Sequence, residues 1–225
     1  MSVLQRGAAN RTYYGTSISV AFTTQFFQHE GAAANSNPSE GSDLIVCLAG
    51  NADWLTCDTD QGDTGVAIAT FNSNWQIWLI SNISSGVTSI DITSTGSGGP
   101  NIYFIEDSAQ VSEENTTAWG LSGEATLTQD IAYTTATADE LVVAMITATG
   151  NKSYAASGGS VPIAAVDAAE SRAVIYLDST TAETSAIAWT QDTGGESSGA
   201  VVTFSRGGGS SFNAAWAIHA NTIIG

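Results

Sequence analysis

The segment Asn74–Thr93, NWQIWLISNISSGVTSIDIT, restricts the possible folds more than any other part of the chain. Trp75, Ile77 and Leu79 alternate with Gln76, Trp78 and Ile80, so an extended strand through them is apolar on nearly both faces. Such a strand belongs inside a sheet that is covered on both sides. Asn82-Ile83-Ser84-Ser85-Gly86 reads as a turn and Val87–Thr93 as a second strand, which predicts a β-hairpin with a longer loop. Ile90, Ile92 and Thr93 return as Ile187, Trp189 and Thr190 at a spacing of 97 residues, and Leu44 returns as Leu141 at the same spacing. Self-similarity at a fixed spacing points to a duplicated unit.

Other strands follow from short apolar or alternating runs between turn residues. Ser17–Thr23, Asp43–Ala49, Val66–Phe71 and Asn101–Glu106 carry them in the first half. Glu124–Thr134, Asp139–Ile146, Val161–Val166, Arg172–Ser179, Ser185–Thr190 and Gly199–Ser205 carry them in the second. No convincing helical period interrupts the series. The expected class is all-β: a jelly-roll-like β-sandwich built from an internal duplication of about 97 residues, with two consecutive small sandwiches as the alternative. The expected division is an N-terminal arm at 1–16, a sandwich domain at 17–206 with halves 17–123 and 124–206, and a linker with an apolar tail at 207–225. Asp53–Gly65 and Asp107–Gly123 read as acidic or polar connections, and Gly31–Gly41 and Gly150–Gly159 as loops.

Charge narrows the partners. Five basic residues stand against twenty-two acidic ones, a formal charge of −17. Phosphate recognition rests on clustered Lys and Arg, so nucleic acid is not expected as a partner, and anionic membrane surfaces are disfavoured for the same reason. The start MSVLQRGAANRTYYG lacks the apolar core of a signal peptide, and no stretch is long and apolar enough to span a bilayer. The expectation is a protein made in a cytoplasm that, if it works outside one, leaves by lysis or dedicated machinery. Cys47 lies in an apolar run and Cys57 ten residues on, which reads as two buried thiols, with a disulfide as the alternative.

Catalytic chemistry is not expected. His29 and His219 are isolated, the Gly207-Gly208-Gly209 run lacks the lysine of a phosphate loop, and no family of paired acids announces itself. One spacing suggests a cofactor. Asp58, Asp60 and Asp63, with Gly62 between them, place hard oxygen ligands at alternating positions around a turn-permitting glycine, as calcium loops do, although Ala69 stands where a full EF-hand would need Glu. A solvated acidic turn is the plainer alternative. Trp54, Trp119 and Tyr154 would suit a sugar platform if they shared one face, and otherwise belong to the core.

The succession GSDLIVCLAG, WQIWLISNISSGVTSIDIT, NIYFIEDSAQ, TADELVVAMITATG and SGAVVTFSRGG, covering roughly Asp43–Gly207, resembles the β-sandwich structural proteins of tailed bacteriophages and bacterial surface modules. That resemblance implies a jelly-roll-like fold and a role in the virion as a capsid decoration or tail-associated component such as a tail fibre. It carries over no catalytic residue. A carbohydrate-binding or host-adhesion module is the alternative, with a surface glycan as partner. For the structural role, copies of the chain and other virion proteins are the expected partners. The expected contact residues are Arg6 and Arg11 near the start and Phe212, Trp216, Ile218, Ile223 and Ile224 near the end, because assembly of a chain at −17 needs apolar anchors and locally matched charge.

Overall fold

The computed structural model describes residues 3–9, 16–22, 37–49, 53–71, 75–96, 101–107, 111–121, 128–138, 140–148, 154–157, 164–167, 172–179, 181–191 and 197–206. Among them the regular structure is all strand. The first eight are β1 (Val3–Ala9), β2 (Ser17–Ala21), β3 (Asp43–Ala49), β4 (Trp54–Thr59), β5 (Val66–Phe71), β6 (Trp75–Ile80), β7 (Ser89–Ser94) and β8 (Asn101–Asp107). The second eight are β9 (Val111–Leu121), β10 (Thr128–Thr135), β11 (Glu140–Ala148), β12 (Tyr154–Ser157), β13 (Ala164–Asp167), β14 (Arg172–Ser179), β15 (Glu183–Gln191) and β16 (Ser197–Arg206).

The first set forms a five-stranded sheet in the order β1-β8-β3-β6-β5 and a three-stranded sheet in the order β2-β7-β4. The second set forms β13-β14-β11-β16-β9 and β10-β15-β12. Adding eight to every strand number converts the first pair of sheets into the second, so the duplication is visible in the connectivity. Within each lobe the fourfold order 1-8-3-6 facing 2-7-4 is that of a jelly roll, with the fifth strand joined to the larger sheet. The chain therefore forms two small sandwiches rather than a single sandwich shared between halves. The lobe boundary lies between Asp107 and Val111 and not at 123/124, because β9 pairs with β16.

Two clusters hold most of the buried apolar residues, while Ile131, Val142, Ala144, Ile187 and Val201 are buried outside them in the second set of strands. The interior of the first lobe holds Ile18, Val20, Phe22, Leu44, Val46, Leu48, Trp54, Cys57, Trp78, Ile80, Ile90, Ile92, Ile102 and Phe104. A second cluster joins the two five-stranded sheets face to face: Ile45, Cys47, Trp75, Ile77, Leu79, Tyr103 and Ile105 from one, Leu141, Val143, Met145, Val174, Ala200, Val202 and Phe204 from the other. This seam explains why β6 is apolar on both faces, since Trp75, Ile77 and Leu79 face the seam and Trp78 and Ile80 the lobe interior. Gln76, buried among them, accepts a 2.8 Å hydrogen bond from the Trp78 indole.

β6 and β7 do not form the expected hairpin. β6 pairs with β3 and β5, whereas β7 pairs with β2 and β4 in the opposite sheet. The connection bonds outward instead of closing on itself: Ile83 N–H donates to the Ser42 carbonyl at 2.8 Å, and Gly41 N–H to the Ile83 carbonyl at 2.8 Å. Asn82 takes a left-handed φ of 55° at the point where the chain leaves one sheet for the other. The expected arm is also a strand in part, because Val3–Ala9 pairs with β8 along the sheet edge.

Candidate functional site

Both ends of the described chain meet at one end of the seam. Val3, in the first strand, is in register with Asp107, and Arg206, closing the last strand, is in register with Val111. The Arg206 Nε donates to Asp107 Oδ2 at 2.6 Å, with side chains only 3% and 0% exposed. This ion pair joins the end of β16 in one lobe to the end of β8 in the other. Beside it, Asp43 is in register with Asp107, and its carboxylate accepts from the Val111 amide and from the Asn82 amide, each at 2.6 Å. Burial raises the Asp43 pKa and the negative charge of Asp107 adds to that, while the two amide donors act against both and leave a net upward shift. One cation and two carboxylates thus fix the point where the first lobe hands the chain to the second.

Of the expected contact residues, Arg6 lies in β1, where the pairing with β8 shifts between Gln5 and Gly7, so Arg6 is the extra residue of a bulge in an edge strand. Arg11, Phe212, Trp216, Ile218, Ile223 and Ile224 lie outside the described residues. Of the aromatics weighed for a sugar platform, Trp54 is core at 3% exposure; the side chains of Trp119 and Tyr154 are outside the description.

Hydrogen bonds to neighbouring strands and turns hold the acidic loop. Asp53–Gly65 is half strand: β4 occupies Trp54–Thr59, with Trp54, Cys57 and Thr59 buried. The three aspartates accept from different partners. Asp58 Oδ1 accepts from the Gly65 amide at 3.2 Å, Asp60 from the Thr88 amide at 3.0 Å and hydroxyl at 2.5 Å, and Asp63 from the Thr59 hydroxyl at 2.8 Å and the Ser84 amide at 3.0 Å. Ser84 Oγ also donates to Asp63 Oδ1 at 2.5 Å. Partial burial pushes Asp60 and Asp63 upward, but the combined donors outweigh it and hold both below the ordinary carboxylate value. Among the described residues, no group of three His, Cys, Asp or Glu side chains is arranged to hold a metal. The loop's carboxylates staple the β4–β5 turn to the β6–β7 crossing.

Gly62 holds φ 88° in this turn, as its position suggested. Gly65 is required for another reason: a Cβ there would stand 2.2 Å from the Cys57 carbonyl oxygen, which accepts the Gly65 amide at 3.0 Å. The two cysteines are free and lie in different cores, Cys47 in the seam and Cys57 in the first lobe. Burial pushes the Cys47 thiol up to about 12 and the Cys57 thiol further, so neither is a ready nucleophile.

The buried carboxylates at the lobe junction escaped the sequence reading. Asp43 and Arg206 sit at strand ends, where charge is ordinary, and only the pairing of β9 with β16 brings them to one place. The chain matches no protein-family model, no curated protein and no solved structure.

Proposed function

We propose that the protein is a virion structural component, a capsid decoration or tail-associated protein, acting through contacts with copies of itself and with other virion proteins. One observation carries this reading: the register of β1 with β8 and of β16 with β9 brings the first and last strands out at the same end of the seam. The sequence beyond Arg206 is a glycine-serine linker followed by Phe212, Trp216, Ile218, Ile223 and Ile224, too apolar to be left in water. A rigid pair of lobes with an apolar tail rooted at its junction has the layout of a subunit that anchors at one end and presents its outer sheets. The sandwich type is compatible with capsid proteins and with lectins alike, so the fold alone does not choose between them. The adhesion reading loses Trp54, one of its three platform aromatics, to the core.

Deleting residues 207–225 tests the proposal. The expected result is an unchanged β-sheet circular dichroism spectrum together with loss of self-association or of incorporation into particles, measured by light scattering and particle pull-down. Normal assembly of the truncated chain would defeat the reading and move the adhesion module ahead.

A further inference from the structure

The second lobe buries a polar group that its own hydrogen bonds leave incomplete. On β11, Leu141, Val143 and Met145 face the seam, so Glu140, Val142 and Ala144 face the interior of the lobe. Val142 is directly opposite Thr203 on β16, and Glu140 is directly opposite Ser179 on β14. Glu140, Ser179 and Thr203 therefore share one inward face on three adjacent strands. Their exposures are 0%, 2% and 1%. Across the lobe, Ser179 meets Thr135 of β10, hydroxyl to hydroxyl at 3.3 Å, and donates to Glu183 Oε1 at 3.2 Å, which also accepts the Tyr133 hydroxyl at 3.0 Å.

Glu140 Oε1 is satisfied by the amide and hydroxyl of Thr137, at 2.5 Å and 2.9 Å. Glu140 Oε2 and Thr203 Oγ1 have no hydrogen-bond partner among the described residues. A buried carboxylate oxygen without a donor is costly, and a buried hydroxyl without a partner is costly too. The two residues lie on one face of adjacent paired strands, Thr203 opposite Val142 and so one diagonal step from Glu140, a separation long side chains can reach across. We infer that Glu140 Oε2 and Thr203 Oγ1 are two ligands of an enclosed site for a small monovalent cation such as Na⁺ or K⁺.

Charge selects the ion class. Glu140 offers one negative charge and the nearby hydroxyls are neutral, so one positive charge balances the site. Glu183 already accepts from Tyr133 and Ser179 and is turned to them. Hard oxygen donors suit alkali cations and give soft metals no thiolate or imidazole to hold.

Calorimetric unfolding of the full chain, in sodium, potassium and tetramethylammonium chloride at equal ionic strength, tests the site. The midpoint should lie about 2–4 °C higher in the preferred alkali salt than in tetramethylammonium at a few times the dissociation constant. Thr203→Val, which keeps the shape and removes the oxygen, should abolish that difference, and Glu140→Gln should do the same. Anomalous scattering from a thallium-soaked crystal should place a peak between residues 140 and 203. Equal midpoints in all three salts, with no peak, would overturn the inference. So would a midpoint that follows pH and ignores the cation, which would mean that a proton on Glu140 fills the gap.

Discussion

The two lobes repeat one connectivity, but at the 97-residue spacing their corresponding strands β3 and β11 carry opposite side-chain phase. At the start of β3, Leu44 points into its own lobe and Ile45 into the seam; at the start of β11, Leu141 points into the seam, and Glu140 and Val142 face inward. A shift of one residue turns every side chain of a strand to the other face. The same shift sends the leading carboxylates in opposite directions. Asp43 reaches across the junction to Val111, while Glu140 folds back to Thr137 within its own lobe. Strand order and the assignment of faces are thus set separately. Order follows from connections, and phase follows from which apolar surface each strand must cover.

The largest expected effect sharpens this contrast at the junction. Arg206→Met removes a donor from Asp107 and leaves that carboxylate buried beside Asp43, at a cost of about 3–5 kcal/mol in urea unfolding. Adding Asp107→Asn should recover part of the loss. A cost below about 0.5 kcal/mol for the single change, typical of surface sites, would show that the lobes are not held there.

Next come the two leucines. Leu44→Ala and Leu141→Ala should each cost about 2–5 kcal/mol, because both are fully buried. Their partners differ. Combined with Ile80→Val in the first-lobe interior, Leu44→Ala shares a core and should be non-additive, whereas Leu141→Ala should add to it within about 0.5 kcal/mol. The reverse pattern would mean that the phase is misassigned.

A smaller effect separates the carboxylates by pH. The Asp43 pKa is raised in the folded protein from 3.8, so the stability it contributes is present below that value and is lost as pH rises through the folded pKa. Asp60 and Asp63 are lowered, so their contribution is present above 3.8 and is lost as pH falls through the folded pKa. Stability measured between pH 2 and 6 should therefore lose part of its acid limb in Asp63→Asn, the Asp60 part remaining, and its opposing limb in Asp43→Asn. Asp63→Ala should cost about 1–2 kcal/mol through its lost bonds to Thr59 and Ser84. If millimolar calcium stabilises the wild-type chain and not this variant, the loop is an ion site and not a staple.

The strands missed from the sequence all lie at sheet edges, although the edge strands β2, β5, β10 and β13 were read as strands. β3, β5 and β14 begin and end where their apolar runs do, and β6 announced two covered faces. The strands that read as arm, loop or linker were β1, β4, β9 and β12, and all four are sheet edges. An edge strand can be polar along most of its length, as SEENTTAWG in β9 is, because its partner supplies the order. The 97-residue echo pointed to the duplication but aligned Leu44 with a leucine of the opposite face. Two strands apolar on both sides give no signal of which side is which. The loop staples and the junction were illegible for a different reason: Asp63 with Ser84, and Asp107 with Arg206, become neighbours only after the sheets are in place.

The central claim is that a shared seam makes the two jelly rolls one cooperative body, and scanning calorimetry of the full chain tests it most directly. The account predicts a single unfolding transition with a calorimetric to van't Hoff enthalpy ratio of about 1. Two resolved transitions, or a ratio of about 2, would mean that each lobe folds by itself and that the seam does not unite them.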